Sequence, residues 1–303
     1  MIGGVCPCNF GVMSKYLLLD GYNLAFRAFY GMPDTLSRSD GLPTGAIHGW
    51  VSGVMHLLDT EKPDICVAFF DLGGASRQKA LYADYKANRS SMPDALRAQM
   101  PYIKKLAALW GFGPVEKEGV EADDLIATWA KRISKAGDSA RIVSSDKDLG
   151  QCTAMDGVTQ LLPPATANTA SGWRVMDPSG VEAKFGVPPS KVADLLALVG
   201  DTSDNIPGLD GVGPKTAAKW LSQFGNLEGV ISNCGDLKPQ RFQSMVYGKR
   251  EDLRRNLKMT TLDYEVPTDG LECAPMDSDA LLGLLEELEM RRAHANVKAR
   301  IGE

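Results

Sequence analysis

The sequence lacks the features that mark membrane, secreted and zinc-finger proteins. No stretch reaches the roughly 18 consecutive apolar residues that a membrane-spanning helix needs. The first residues, MIGGVCPCNFGVMSKY, have neither the basic start nor the long apolar core of a signal peptide. Six cysteines include one C-x-C pair, Cys6 and Cys8, with no second pair at zinc-finger spacing. We therefore expect a cytoplasmic protein without a zinc site.

Long runs of charge are also absent, and 44% of the 303 residues are hydrophobic, which excludes a disordered chain. The net charge of −5 at first argues against nucleic acid, but the charge is unevenly distributed. Residues 75–105 hold seven Lys or Arg against two acids, and residues 205–258 hold nine against five. Two basic segments on an acidic body predict a phosphate-binding surface beside an acidic site, although solvated helix faces would give the same counts.

Three short apolar runs, at residues 15–20, 65–71 and 140–146, each end in an aspartate and are predicted to be buried strands. The apolar spacing of residues 44–60 and 121–136 predicts two helices between them. Strands that alternate with helices indicate an α/β fold with a mainly parallel sheet flanked by helices. Because sites in such sheets form beyond the carboxyl ends of the strands, the three aspartates indicate one crevice.

The remaining segments are predicted to be mostly helical. Residues 82–101 are basic, contain Tyr82 and Tyr85 and are broken by Pro93, which indicates helical pieces in an exposed excursion. A polar loop at residues 163–173 is expected to separate two halves of the chain. Three further helices are predicted beyond that loop, at residues 177–200, 213–224 and 279–289.

Acidic residues cluster in a way that core packing does not require. They end the strands, open the helix at residues 121–136 or stand three apart in GDTSDN: Asp20, Asp71, Glu121, Asp123, Asp124, Asp146, Asp148, Asp201 and Asp204. Close carboxylates raise each other's pKa, so they cannot all ionise in one crevice without compensation. Oxygen ligands with no His or Cys beside them favour Mg²⁺ or Mn²⁺, and the count suits two ions. Taken singly, each acid could instead be a turn residue or a helix cap.

Residues 205–219, NIPGLDGVGPKTAAK, fit a phosphate-binding turn between two helices. The glycines allow positive φ and a close approach to a ligand, and the proline suits the first position of a helix. Free N–H groups at that helix start can hold a phosphate without reading a base. The residues expected to contact DNA here are Gly208, Gly211, Gly213, Lys215 and Thr216. A plain glycine-rich connector is the alternative.

The motifs LLLDGYNLAFRAFYGMP, YKANR, GVEADDLI, SSDKDLGQ and ALVGDTSDNIPGLDGVGPKTA, in this order, resemble the 5′ nuclease family. That family comprises the 5′→3′ exonuclease domain of bacterial DNA polymerase I, the phage 5′ exonucleases and the flap endonucleases. The resemblance implies a PIN-like catalytic domain at residues 15–175 with a helical arch at about 78–101. It also implies a helical DNA-binding region at residues 176–303 with a helix-hairpin-helix (helix–three-turn–helix) motif. Residues 1–14 would be an extension starting at Met1 or Met13, on a stand-alone family member.

The resemblance also implies roles for individual residues. The acids would divide between two metals: Asp20, Asp71, Glu121, Asp123 and Asp124 at the first, and Asp146, Asp148, Asp201 and Asp204 at the second. Lys86 and Arg89 would contact the scissile phosphate, and Arg27 the phosphate backbone near the first metal. Tyr82 or Tyr85 would stack on bases or, equally, pack within the fold. Backbone carbonyls of the hairpin turn would bind K⁺.

Together these features predict an Mg²⁺-dependent, structure-specific 5′ nuclease that acts in DNA replication and repair. We expect its substrates to be DNA with a 5′ flap, a nick or a free 5′ end, and RNA primers on DNA as a further substrate. We expect a nucleoid-associated monomer with no membrane partner. Two alternatives stay open. A PIN-type ribonuclease generally lacks the hairpin turn and the basic arch, and a non-catalytic binder of branched DNA would be expected to have lost some acids.

Overall fold

The computed structural model describes residues 13–164 and 172–302, and these form seven strands and fourteen α-helices. The strands are β1 (Lys15–Asp20), β2 (Ile65–Phe69), β3 (Ser139–Val143), β4 (Val158–Leu162), β5 (Arg174–Met176), β6 (Gly200–Asp201) and β7 (Ile206–Pro207). The first seven helices are α1 (Gly21–Gly31), α2 (Gly45–Glu61), α3 (Ser76–Leu81), α4 (Asp94–Arg97), α5 (Met100–Leu109), α6 (Ala122–Lys135) and α7 (Pro178–Phe185). The others are α8 (Val192–Val199), α9 (Pro214–Phe224), α10 (Leu227–Ser232), α11 (Gln243–Gly248), α12 (Arg250–Thr260), α13 (Ser278–Glu287) and α14 (Arg291–Ile301). Cys6, Cys8 and most of the predicted polar loop lie outside the described residues.

A five-stranded sheet in the order β2-β1-β3-β4-β5 forms the centre of the N-terminal half. The first four strands are parallel and β5 is antiparallel, which confirms the predicted mainly parallel sheet. Leu17, Leu18 and Leu19 of β1 are fully buried because helices cover both faces of the sheet. The predicted first strand has the observed bounds, whereas Asp71 and Asp146 lie shortly after the ends of β2 and β3.

Two apolar cores cover the two faces of this sheet. On one face, α1, α2 and α5 pack together, and side chains of α13 and α14, including Leu285 and Val297, join the same core. On the other face, α6 packs with residues that follow α12, including Leu262 and Val266. Of the predicted DNA-binding region at residues 176–303, the part that follows α12 packs back on the sheet. Among the described residues, no helix is both long and apolar enough to cross a bilayer.

Helices α7 to α12 form a third core around Trp220, which is 1% exposed. The predicted helix at residues 177–200 is in fact two helices, α7 and α8. Gly186 ends α7 with φ of +75°, and Pro188 then lacks the N–H that would continue the helix. Helix α8, the short β6–β7 pair and α9 form the hairpin that the glycine-rich turn predicted.

Helix α1 begins directly at the end of β1, with no linker, and the sequence analysis did not predict it. The Asp20 carboxylate caps it by accepting from the Asn23 N–H at 3.0 Å. Gly21 permits the sharp change of direction, since a Cβ there would lie 2.7 Å from the Phe69 carbonyl oxygen. In the predicted arch, α3 and α4 are the helical pieces, and residues 82–93 between them form turns and irregular backbone.

Candidate active site

Four aspartates converge on a crevice of about 670 Å³ at the carboxyl ends of the parallel strands. We call this group the acid pocket: Asp20, Asp71, Asp123 and Asp146. Asp20 ends β1, Asp71 follows β2, Asp146 follows β3, and Asp123 lies in the first turn of α6. The convergence of strand ends that the sequence predicted is therefore present in the fold.

Local hydrogen bonds orient the pocket carboxylates. The Ser144 hydroxyl donates to Asp20 Oδ2 at 2.7 Å, while Asp20 Oδ1 caps α1. Asp71 Oδ1 accepts from the Ala122 N–H at 2.7 Å, which joins the end of β2 to the start of α6. Asp146 Oδ1 accepts from the N–H of Asp148 at 2.9 Å. Each of these three acids therefore accepts a hydrogen bond from a backbone N–H and also lines the crevice.

A second group of acids, the acid triad, comprises Asp148, Asp201 and Asp204. Ligand atoms of these three carboxylates lie within 4.8 Å of one another. Asp148 opens a 3₁₀ helix after β3, while Asp201 ends β6 and Asp204 lies in the turn that leads to β7. The triad therefore joins the sheet domain to the hairpin of the helical region.

Residues of the YKANR motif close over both groups. The Lys86 ammonium bonds to Glu121 and lies 4.0 Å from Asp204 Oδ2. Arg89 Nη2 lies 2.5 Å from Asp204 Oδ1. The Tyr85 hydroxyl donates to Asp204 at 2.8 Å and lies 3.1 Å from Glu121. At 4% exposure, the Tyr85 ring packs within the fold in this structure and does not face solvent.

The electrostatics of these acids fit divalent cations. Burial raises the pKa of Asp20 to about 7, with repulsion from Asp146 and Asp71 adding to the effect. Burial and then the neighbouring Asp146 also raise the pKa values of Asp123 and Asp148. Within the described ranges, Asp148 Oδ1 is buried and has no hydrogen-bond partner. The ligand atoms are all oxygens, one buried oxygen of Asp148 is free to bind an ion, and the carboxylates repel one another. Such a site suits a hard cation such as Mg²⁺ or Mn²⁺.

Asp124, which the resemblance assigned to the first metal, points away from the acid pocket. Its carboxylate accepts hydrogen bonds from Arg77 Nη2 at 3.2 Å, Gln78 Nε2 at 3.3 Å and the Asp263 N–H at 2.8 Å. Successive residues of a helix project about 100° apart, which is why Asp123 lines the crevice and Asp124 points to these other partners. The structure therefore gives Asp124 a different set of partners from the one expected.

The remaining acids divide differently from the expected two sets. Asp146 lines the acid pocket, although the resemblance placed it with the second metal. Glu121, 8% exposed, is held by Lys86 and Tyr85 at the edge of the pocket. Arg27 lines the same crevice. The Tyr82 ring lies under the Arg255 guanidinium, 5.0 Å from ring centroid to Cζ.

The backbone of the hairpin turn has a close contact and a positive φ that require glycine. A Cβ on Gly208 would lie 2.0 Å from the Val199 carbonyl oxygen, and Gly211 has φ of +74°. Gly213 precedes α9, whose exposed first turn carries Lys215 and Thr216. The start of α9 therefore faces solvent with a lysine beside it, as an anion-binding helix start does.

Lys147 and Ser144 are site residues that the sequence analysis missed. Lys147 Nζ lies 2.9 Å from Asp201 Oδ1. Burial raises the pKa of the Asp201 carboxyl, but the hydrogen bond from Ser203 and then the Lys147 ammonium hold that pKa below its usual value. Ser144 bonds to Asp20. Both lie in VSSDKD, so their position among the acids of that motif was the available signal.

Two family models match consecutive parts of the chain. Residues 15–186 match the N-terminal resolvase-like domain of 5'-3' exonuclease, and residues 187–279 match its C-terminal SAM fold. A 5'-3' exonuclease of Aquifex aeolicus (strain VF5) is 37% identical over 92% of this chain and 93% of that protein. DNA polymerase I of Mycobacterium leprae (strain TN) is 36% identical over 94% of this chain, which spans 31% of the polymerase.

Solved structures share the fold at lower identity. The phage T5 D15 protein co-crystallized with metal ions has a TM-score of 0.67 and 20% identity, covering 94% of this chain and 98% of its own. The catalytic core of Rad2 in complex with DNA substrate has a TM-score of 0.58 and 14% identity, covering 91% of this chain and 87% of its own. With both family models matched in order and a relative 37% identical along almost its whole length, the chain belongs to the 5'-3' exonuclease family.

Proposed function

We propose that this chain is a structure-specific 5′ nuclease that hydrolyses DNA phosphodiester bonds with two Mg²⁺ ions, or Mn²⁺ in their place. The observation that carries the proposal is the convergence of seven aspartates in the adjoining acid pocket and acid triad, beneath Lys86 and Arg89. Seven carboxylates so close together are costly to bury unless cations compensate them.

The acid pocket and the acid triad would each hold one cation. Bound there, the ions would lower the pKa of a water molecule and neutralise the charge that develops at phosphorus. The protein's own contribution is orientation, because Ser144, the α1 cap and the Ala122 N–H fix which carboxylate oxygens face the crevice. Such fixed ligands need little reorganisation when the substrate binds.

Lys86 and Arg89 would bind the non-bridging oxygens of the scissile phosphate. Both end beside Asp204, so a phosphate at the triad lies within their reach. Arg27 would contact the phosphate backbone from the pocket wall. Tyr82, whose ring lies against the Arg255 guanidinium, would stack on bases of the single strand. The products would be a 5′-phosphate and a 3′-hydroxyl.

The hairpin turn would hold the duplex through its phosphates. Lys215 and Thr216 and the glycines at 208, 211 and 213 would form this contact, with K⁺ bound by the turn's carbonyls. The T5 D15 flap endonuclease, which shares the fold, is described in a pseudo-enzyme-product complex with DNA and metal ions, which supports a DNA substrate. The proposed substrates are DNA with a 5′ flap, a nick or a free 5′ end, and RNA primers on DNA. The enzyme would act as a monomer on nucleoid DNA.

The two alternatives are less well supported. A PIN-type ribonuclease does not account for the β6–β7 hairpin or for the match of residues 187–279 to the C-terminal domain of 5'-3' exonucleases. A non-catalytic binder of branched DNA does not account for the retention of all seven aspartates of the pocket and triad.

Cleavage of a labelled 5′ flap tests the proposal. We expect cutting with Mg²⁺ and none with chelator, and Asp146→Asn and Asp201→Asn are expected to lower kcat on the order of a hundredfold or more with little loss of DNA binding. Asp156→Asn, at an exposed acid outside both groups, is the matched control and is expected to cut normally. Normal cleavage by Asp201→Asn would refute the two-cation assignment, and no cleavage by the unaltered enzyme would refute the nuclease itself.

A further inference from the structure

Arg77, near the start of α3, joins three helices through one guanidinium group. Its Nη2 donates to Asp124 Oδ1 at 3.2 Å and to the Thr261 carbonyl at 2.9 Å, and its Nη1 donates to the Lys258 carbonyl at 3.2 Å. The two carbonyls belong to the C-terminal end of α12, where helix carbonyls lack intrahelical donors. A planar group with five donors can satisfy a carboxylate and two carbonyls together, whereas an ammonium is a single point of charge.

Asp124 connects this contact to the acid pocket. It is 4% exposed and lies in the first turn of α6, directly after Asp123, whose carboxylate lines the pocket. Gln78 of α3 and the backbone of Asp263 bind the same carboxylate. Consecutive Cα atoms are about 3.8 Å apart along a rigid helix. The contacts that fix the position of Asp124 therefore also fix the backbone position of Asp123.

The other side of α12 is bound to the hairpin. Asn256, 1% exposed, donates to the Ala197 carbonyl of α8 at 3.2 Å and to the Pro207 carbonyl of β7 at 2.6 Å. The Thr260 hydroxyl donates to the Ala193 carbonyl of α8 at 3.0 Å. Helix α12 therefore moves with the two elements that present the hairpin turn, and its C-terminal end is held by Arg77.

We propose that Arg77 is a positioning residue that determines which phosphodiester bond is cut. The inference rests on the proposed function, since the hairpin turn must hold the duplex for its distance from the acids to matter. The hairpin and α12 set where the duplex lies, while α6 sets where Asp123 lies, and Arg77 is bonded to both. Without that bond the duplex can shift relative to the acid pocket, so neighbouring phosphates reach the site.

The test maps cut sites on a 5′ flap at single-nucleotide resolution. The unaltered enzyme is expected to cut mainly at one bond, and Arg77→Ala to spread its cuts over adjacent bonds with kcat lower on the order of tenfold and KM little changed. Arg77→Lys keeps the charge without the planar fork and is expected to give an intermediate spread. Arg254→Ala is the matched control, because that arginine lies on the exposed side of α12 and pairs with Glu228 and Glu251.

An unchanged cut position in a folded Arg77→Ala enzyme would overturn the proposal, even if kcat fell, because a merely structural residue would lower the amount of active enzyme without moving the cut. If circular dichroism shows that Arg77→Ala does not fold, Arg77→Lys is tested in its place. An unchanged cut position in Arg77→Lys would then overturn the proposal. A spread of cuts by Arg254→Ala equal to that of Arg77→Ala would also overturn it.

Amide hydrogen exchange on the DNA-free protein separates this proposal from the nuclease proposal, because it needs no cleavage. Arg77→Ala is expected to raise exchange together at the Asp263 N–H, after α12, and in the first turn of α6. If both rise while the unaltered enzyme cuts no DNA, the link through Arg77 stands and the nuclease function fails. If exchange rises only within α3, the link is refuted.

Discussion

At the scale of single residues, the acids of the site differ in what each carboxylate touches. Asp20 shares its two oxygens between a helix cap and Ser144, whereas Asp148 keeps one buried oxygen free of any described donor. Asp124 has all its bonds to protein donors, among them Arg77. The place of a carboxylate in a motif therefore does not by itself determine what that carboxylate contacts.

Asp124→Asn is expected to lower stability without removing a cation site. The substitution breaks the ion pair with Arg77, whose side chain is 36% exposed, so we expect a loss of about 1–3 kcal/mol in the free energy of unfolding. Urea unfolding measures that loss, and calorimetric titration with Mn²⁺ measures cation binding. Asp123→Asn is the comparison and is expected to weaken Mn²⁺ binding. Loss of Mn²⁺ binding in Asp124→Asn would contradict the assignment.

Asp20, Asp71 and Asp146 were predictable because the carboxyl ends of parallel strands meet at one edge of a sheet, whereas Asp123 and the acid triad were identified from their motifs. The partners of individual residues were not predictable in the same way. Spacing on α6 could have separated Asp123 from Asp124, but the hydrogen bonds to Asp124 come from residues far away in the chain, such as Asp263. The role of Lys147 likewise depends on Asp201, which approaches it only in the folded chain.

At the scale of elements, the hairpin depends on close backbone packing. Gly208 lies against the end of α8, and an added Cβ would come within 2.5 Å of both the Val199 carbonyl and the Gly200 nitrogen. The short strands β6 and β7 are paired across this contact. The turn that follows can present Lys215 only if this pair closes.

Gly208→Ala is therefore expected to destabilise the helical region by about 1–3 kcal/mol and to weaken duplex binding, because backbone must move to admit the methyl group. Gly213→Ala is the matched control for stability, since φ there is −95° and a Cβ would meet nothing within 4 Å. Urea unfolding and binding of an uncut duplex without Mg²⁺ measure the two effects. Equal stability of the two variants would contradict this reading of the hairpin.

Element boundaries followed from the sequence where local signals were strong. Strand β1 and helices α2, α6 and α9 lie within one or two residues of their predicted bounds. Helix α1 was missed because β1 continues directly into it, so no stretch of loop-forming residues marks the boundary. The break between α7 and α8 was missed although Gly186 and Pro188 were visible, because the apolar spacing on either side fits one continuous helix.

At the scale of the whole molecule, burial of many acids links stability to pH and to cations. A carboxyl whose pKa is raised in the folded state binds its proton more tightly there, so it favours folding at low pH and opposes it as pH rises through the raised pKa. For Asp20 that window extends from its ordinary 3.8 to about 7. The raised pKa values of Asp123 and Asp148 act in the same direction.

In chelator, the urea midpoint is therefore expected to fall between about pH 5.5 and about pH 8, and Mg²⁺ is expected to restore more stability at the higher pH. Cations take the place of the protons, so their effect grows as the carboxyls ionise. The variant Asp20→Asn removes the carboxyl whose pKa is raised to about 7 and is expected to flatten the pH dependence in chelator. A chelated enzyme that gains stability over this pH range would contradict the electrostatic account.

The chain leaves the sheet domain after β5 and comes back to it with Leu262 and Val266 under α6, and later with α13 and α14. The helical region is thus attached to the sheet domain at both of its ends. Side-chain contacts join the two parts between these attachments as well, among them Lys147 to Asp201 and Arg77 to the Lys258 carbonyl. These connections on both sides of the hairpin therefore limit how far it can shift relative to the acid pocket.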